Sequence, residues 1–131
     1  MGSRRQGSDP RVGYDESWYY ATAKGLVQHP QLTESVDADV CIVGAGYTGL
    51  SAAIELAEQG FKVVVLESHR VGAGASGRNG GVLGMGQRKD QDELEAMLGL
   101  DVAKQMWQVA CDANELVRDR IKRYEIDCDL T

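Results

Sequence analysis

The stretch that decides the fold is Asp39-Val40-Cys41-Ile42-Val43-Gly44-Ala45-Gly46-Tyr47-Thr48-Gly49, together with Leu50 to Gly60 and Lys62 to Glu67 behind it. Val40 to Val43 is a short, unbroken apolar run, the pattern of a parallel strand covered on both faces. It leads directly into Gly44-x-Gly46-x-x-Gly49. Leu50, Ala53, Ile54 and Ala57 then recur at helical spacing, and Gly60 stands where a helix would stop. Phe61 opens onto a second apolar run, Val63-Val64-Val65-Leu66, which ends on an acid, Glu67. This is a βαβ unit. It places the chain in the α/β class, as a Rossmann-type unit of a doubly wound parallel sheet.

Each part of the unit has a physical task. Gly44 permits the tight turn out of the first strand, Gly46 leaves room for a pyrophosphate at the backbone, and Gly49 lets the helix pack closely on the strand. Tyr47 and Thr48 fall at the start of the helix, where unsatisfied amides and the positive end of the dipole attract a diphosphate. Glu67, at the tip of the second strand, can accept hydrogen bonds from ribose hydroxyls, and its charge repels a 2′-phosphate. A glycine-rich turn alone is weak evidence, and a bare structural turn is the competing reading. Here strand, glycines, helix period, stop glycine, second strand and acid fall in register, which favours a dinucleotide site.

Composition excludes other classes. The 131 residues allow at most one domain of ordinary size, and 43% hydrophobic with 26% charged residues is a normal globular balance. The net charge of −6 is spread along the chain, with no basic patch for nucleic acid or a membrane surface. No apolar run approaches the roughly 20 residues of a membrane span. Met1 to Pro10 has no apolar core, so it is not a signal peptide, and a soluble, cytoplasmic protein is expected. Cys41, Cys111 and Cys128 are widely spaced, which indicates neither a disulfide framework nor a metal site. Cys41 and Cys111 read as small core hydrophobes. With only His29 and His69, both in loops, no nucleophilic triad can be assembled, and no catalytic residue is assigned.

Residues 1–38 form an N-terminal arm, of which 1–12 are polar and expected to be disordered. Tyr14, Trp18, Tyr19 and Tyr20 are expected to pin that arm to the domain by burying aromatic area. After Glu67 comes a glycine-rich loop, Arg70-Val71-Gly72-Ala73-Gly74-Ala75-Ser76-Gly77-Arg78-Asn79-Gly80-Gly81. Composition alone favours a linker. Yet the loop leaves the C-terminal edge of a parallel strand, where ligands bind, and it carries polar groups in Ser76, Arg78 and Asn79. A ligand loop is the stronger reading.

The remainder is predicted helical. Asp90-x-x-Glu93 suggests a capping box for a short helix with Leu94, Met97 and Leu98 inward and Gly99 as its stop. Asp101 is expected to cap a longer helix whose inward positions are Val102, Met106, Val109 or Ala110, Ala113, Leu116 or Val117, and Ile121. Arg118, Arg120, Lys122 and Arg123 gather at its end, where the dipole favours cations. Tyr124 to Leu130 suggests a further strand. Residues 39–131 thus supply only part of a doubly wound sheet. The chain is expected to be the N-terminal portion of a longer polypeptide, inactive as an enzyme by itself and unstable unless its sheet edges are covered.

The segments Asp39 to Ala53, Val64 to Glu67 and Gly74-Ala-Ser-Gly-Arg-Asn-Gly-Gly81 resemble the start of the D-amino-acid-oxidase-type FAD-dependent oxidoreductases, and among them the γ-glutamylputrescine oxidoreductases. The resemblance runs from about Tyr19 to the chain end. It implies FAD rather than NAD as cofactor. It implies that Gly44, Gly46, Tyr47, Thr48 and Gly49 line the pyrophosphate turn, with Glu67 on the ribose. It also brings Ser68, Arg70, Ala75, Ser76, Arg78, Asn79 and Gly80 to the cofactor as the strand end and following loop. An amine or amino acid oxidised at its carbon–nitrogen bond, with dioxygen as electron acceptor, is the implied chemistry. Two other readings stay open on residues alone: an NAD-dependent dehydrogenase module and a non-catalytic nucleotide-binding fragment.

Overall fold

The computed structural model describes residues 17–131, so the expectations for residues 1–12 and Tyr14 lie outside the described residues. The chain forms two compact units, one ending at Gly80 and the other running Gly81–Thr131.

The first unit holds α1 (Trp18–Thr22), β1 (Val40–Val43), α2 (Tyr47–Glu58), β2 (Val63–Leu66) and a 3-10 turn at Ala75–Gly77. β1 and β2 are parallel neighbours, with Val40 opposite Val63 and Val43 opposite Leu66. Both ends of the ladder are secured. The Lys62 amide donates to the Asp39 carboxylate at 2.8 Å, and the Gly44 amide donates to the Leu66 carbonyl at 2.7 Å. The helix stop falls where glycine predicts it. Gly60 has φ +90°, its amide reaches the Ala57 carbonyl (3.0 Å), and the Phe61 amide reaches Leu56 (3.1 Å). That is a Schellman closure, which turns the chain into β2.

Two expectations for β1 fail together. Along the strand Val40 and Ile42 are half-buried while Cys41 and Val43 are exposed, Val43 at 85%. The cause is that α2 packs on one face only, so the run alternates rather than being covered twice. Cys41 is therefore a solvent-exposed thiol, not a core residue. Ala57 also faces outward, leaving Leu50, Ala53 and Ile54 on the packed face of α2. Among the described residues the sheet has these two strands, a partial Rossmann-like βαβ unit.

The aromatic arm departs from expectation as well. Trp18 and Tyr19 are exposed (76% and 47%), so they bury little area. Among the described residues of the cluster, Tyr20 has a defined attachment, with the Arg70 guanidinium 4.1 Å above its ring.

The second unit consists of α3 (Gln91–Leu98) and α4 (Leu100–Arg123), separated by Gly99 at φ +82°. Leu94 and Ala103 are buried where the two helices meet. Met97 and Leu98, expected inward, are exposed although they share the Leu94 face of α3, so Leu94 is the buried residue of this short helix. On α4 the inward line is Ala103, Met106, Ala110, Asn114 and Ile121 rather than one beginning at Val102. Val102, Val109, Leu116 and Val117 are exposed, as is Ala113. Asn114 holds this line because its polar ends are satisfied. Its Nδ2 donates to the Leu83 carbonyl (3.4 Å) and its Oδ1 accepts from Arg118 Nε (2.9 Å). Cys111 is half-buried, its Sγ 3.8 Å from the Met85 sulfur.

The caps differ too. Asp90 is the N-cap of α3 but its side chain makes no capping bond, so the capping box does not form. Gly99 rather than Asp101 is the N-cap of α4, and Asp101 lies within the first turn, where its charge meets the dipole. Arg120, Lys122 and Arg123 do occupy the last turn. The strand expected after Tyr124 is absent. Glu125 takes φ +51°, and the Ile126 amide returns to the Ile121 carbonyl at 2.9 Å. The helix closure takes the amides of Glu125 and Ile126, and the left-handed turn at Glu125 breaks the extended run at its start.

Candidate nucleotide-binding site

The site is built where β1 and β2 end. Gly44 turns out of β1 at φ +98°, a conformation L side chains rarely adopt. Gly46 is the N-cap of α2, and Leu50 is the first residue whose amide finds an acceptor inside the helix, the Gly46 carbonyl at 2.9 Å. The amides ahead of it point out of the helix end toward the C-terminal edge of the sheet. Gly49 is glycine for close packing. A Cβ there would run into the Gly44 carbonyl oxygen and lie 3.3 Å from Ile42 Cγ2.

Glu67 closes the turn from the other strand. Its Oε2 accepts from the Ala45 amide at 2.8 Å, and its Oε1 accepts from the His69 amide at 3.0 Å and the Ser68 hydroxyl at 3.3 Å. The Ala45 bond, first among these, holds the Glu67 carboxyl below its ordinary pKa of 4.5 against the opposing effect of burial. Each carboxylate oxygen has two lone pairs, so Oε2 keeps one for a further donor. The acid is thus ionised, aimed at the turn and still able to accept a hydroxyl.

The loop after β2 folds back onto the same turn. The Gly72 amide donates to the Ala45 carbonyl at 2.9 Å, and Ala73 is buried. In the 3-10 turn, Ser76 Oγ accepts from the Tyr47 amide at 3.0 Å, capping a helix whose own N-cap has no side chain to do so. Asn79 Nδ2 donates to the Tyr47 hydroxyl (3.1 Å) and to the carbonyls of Ala75 (3.2 Å) and Ser76 (2.9 Å). The Arg78 amide bonds the Ala75 carbonyl at 3.1 Å. This is an ordered loop rather than a free linker.

Of the residues singled out in the sequence, Gly44, Gly46, Tyr47, Gly49, Glu67, Ser76 and Asn79 therefore converge on one corner. Ser68 supports Glu67, and Ala75 is held by Asn79. Thr48 is exposed on the first turn of α2, and Arg78 and Gly80 are exposed on the loop. Arg70 is directed instead to the Tyr20 ring. Sequence reasoning passed over Ala45, 1% exposed and bonded through both its amide and its carbonyl. Its place between two turn glycines is the signal: only a small side chain fits there.

Comparison with known proteins agrees with this corner. The family model described as FAD dependent oxidoreductase matches residues 39–131. The chain belongs to the FAD dependent oxidoreductase family. It is 49% identical over 116 residues to the "Gamma-glutamylputrescine oxidoreductase" of Escherichia coli (strain K12), covering 88% of this chain and 27% of that protein. It is 45% identical over 113 residues to "Probable oxidoreductase OrdL" of Haemophilus influenzae, covering 86% of the chain and 26% of the relative. A protein of the same name from Rhizobium meliloti (strain 1021) is 42% identical over 113 residues, again 86% of the chain and 26% of the relative. The chain spans about a quarter of the length of these three relatives. No solved structure matches it. The family's cofactor is FAD, and the corner fits it: side-chain-free backbone at Gly46, outward amides, and an ionised acid beside them. The family match decides for FAD over the NAD reading. Among the described residues no helix is long and apolar enough to cross a membrane.

Proposed function

We propose that residues 39–131 form the N-terminal part of an FAD-binding domain, and that they hold the ADP half of the cofactor of an enzyme that oxidises the carbon–nitrogen bond of an amine or amino acid. The observation that carries the reading is the meeting of three segments at one corner: the glycine turn, the Glu67 carboxylate 2.8 Å from the Ala45 amide, and the loop capping α2 through Ser76. In this reading the amides near Gly46, Tyr47 and Thr48 receive the diphosphate, and Glu67, steadied by Ser68, accepts the ribose hydroxyls. Ala75, Ser76, Arg78, Asn79 and Gly80 border the cofactor from the loop side. Arg70 acts at one remove, by anchoring that loop's stem to Tyr20.

Bound FAD supplies two-electron acceptance. The residues described contribute binding and orientation. γ-Glutamylputrescine is the proposed substrate on the strength of the 49% identity to an enzyme of that name, with dioxygen as acceptor and the cytoplasm as location. The test is to express the complete reading frame, record the visible flavin spectrum, and add γ-glutamylputrescine without and then with air. Flavin that bleaches and recovers supports the reading. A colourless protein, or flavin that no amine or amino acid bleaches, overturns it.

A further inference from the structure

Tyr47 makes two contacts to the loop, and they are not equivalent. Its amide donates to Ser76 Oγ at 3.0 Å, while its hydroxyl accepts from Asn79 Nδ2 at 3.1 Å. Ser76 Oγ lies in front of the Tyr47 N–H, 3.1 Å from where a Cβ on Gly46 would be. That is the space a phosphate oxygen needs in order to reach the Tyr47 amide. One N–H cannot serve the serine and an anion at full strength, and the serine's lone pairs face the incoming charge. Ser76 is short and has three staggered rotamers, so it can swing aside and present its O–H to the anion. The loop then loses one of its two attachments to Tyr47.

The remaining attachment is independent of that amide. The two N–H groups of the Asn79 carboxamide are shared among the Tyr47 oxygen and two carbonyls of its own turn, those of Ala75 (3.2 Å) and Ser76 (2.9 Å), and so tie the Tyr47 ring to that turn. The turn is closely packed behind it: a Cβ on Gly77 would strike the Gly72 carbonyl oxygen. Because the Tyr47 oxygen accepts from Asn79, the hydroxyl also keeps its own proton to donate.

We propose that Tyr47 and Asn79 are a positioning pair, a clasp between α2 and the 75–80 loop that keeps the loop seated when the cofactor's diphosphate takes the Tyr47 amide from Ser76. The proposal rests on the nucleotide-site reading above. It gives Tyr47 a role through its hydroxyl that a phosphate-binding turn does not require, since any residue supplies the amide. Loss of the clasp lets the loop open more often, and a bound dinucleotide leaves faster.

The experiment uses the protein expressed from its complete reading frame, with Tyr47→Phe, Asn79→Ala and the double variant. FAD release is followed by the return of flavin fluorescence after dilution into apoflavodoxin or an equivalent trap. Each single variant should speed release about three- to tenfold, the range of one neutral hydrogen bond. The double variant should release no faster than the faster single one. Release at the wild-type rate in either single variant, or effects that multiply in the double, overturns the pair. A second readout needs no cofactor: trypsin cleavage after Arg78, which lies inside the loop and is exposed. In cofactor-free protein Tyr47→Phe should be cut there several-fold faster, because cleavage tracks the opening equilibrium. Cutting at the wild-type rate overturns the clasp. A wild-type protein that holds no flavin defeats the nucleotide reading instead, and the trypsin comparison still decides the clasp.

Discussion

Gly49→Ala probes the corner where fold and site are the same atoms. At an ordinary interior helical position, replacing Gly by Ala stabilises by about 1 kcal/mol, through a smaller loss of backbone freedom. Gly49 lies within α2, so helix propensity alone predicts a gain. The structure predicts a loss. The new methyl would meet the Gly44 carbonyl oxygen and carbon and approach Ile42 Cγ2 to 3.3 Å. The obstacle is backbone of the strand-to-helix turn, so no rotamer change relieves it and α2 must shift away from β1. Overpacking of this kind costs about 1–3 kcal/mol, with the upper part of the range expected against backbone. Set against the propensity gain, the net loss is about 1–2 kcal/mol. A shift of α2 also re-aims its leading amides, so FAD affinity should fall by about tenfold or more, since 1.4 kcal/mol corresponds to a factor of ten. The assay is a denaturant midpoint on the protein from its complete reading frame, alongside a flavin titration of the cofactor-free form. Gly84→Ala is the control. Gly84 is not among the positive-φ glycines and has open space around its Cβ position, so that variant should stay near wild type in both measurements. If Gly49→Ala is as stable as wild type or more so, and binds FAD equally well, the close-packing argument is wrong.

Other predictions concern single contacts. Glu67→Gln removes a charge that receives the Ala45 and His69 amides, and should cost about 1.5–3 kcal/mol at neutral pH, read as a lower denaturant midpoint. Because the folded-state pKa of Glu67 is lowered, its contribution is fully present above the ordinary value of 4.5 and is lost as pH falls from there through the lowered value. The gap between wild type and Glu67→Gln should therefore narrow on acidification below pH 4.5; a gap that is constant or widens contradicts the assignment. Arg70→Gln breaks the stack on Tyr20 and should loosen the arm by about 0.5–1 kcal/mol, seen as faster amide exchange in α1, with Tyr20→Leu giving a similar effect. Equal exchange in both variants and wild type would show that the stack holds nothing. In the second unit, Asn114→Ala strands the Leu83 carbonyl and frees Arg118, and should lower stability by about 1–3 kcal/mol. An unchanged melting curve would mean that this polar pair is idle.

The βαβ unit was legible because its signals are local. Glycines with forced backbone geometry, a helical period and a terminal acid all act within a few residues; Gly44, Gly49 and Gly60 do what their positions implied, and Glu67 turns its carboxylate to the glycine turn. What misled was information held elsewhere in space. Val40–Val43 reads as doubly covered because its composition is apolar, but coverage depends on what packs on each face, and α2 supplies one. The inward line of α4 shifted from Val102 to Ala103 because a small residue lets α3 approach, and because Asn114, polar in isolation, has both of its ends satisfied there. Apolar content alone ranks Val102 and Leu116 above them. Tyr124 to Leu130 alternates like a strand, yet Glu125 ends α4 in a left-handed turn, a choice that residue type does not favour. At the site, the loop's polar residues were visible as chemistry. Their partners were not: Ser76 on the Tyr47 amide spans 29 positions and Asn79 on the Tyr47 hydroxyl spans 32.

The most direct test of the central claim is a crystal structure of the protein from its complete reading frame with its flavin bound. The account predicts the diphosphate seated on the amides at the start of α2, beside Gly46 and Tyr47, and ribose hydroxyls donating to the Glu67 carboxylate. A cofactor whose diphosphate lies away from that helix end, or whose ribose leaves Glu67 without contact, would contradict it.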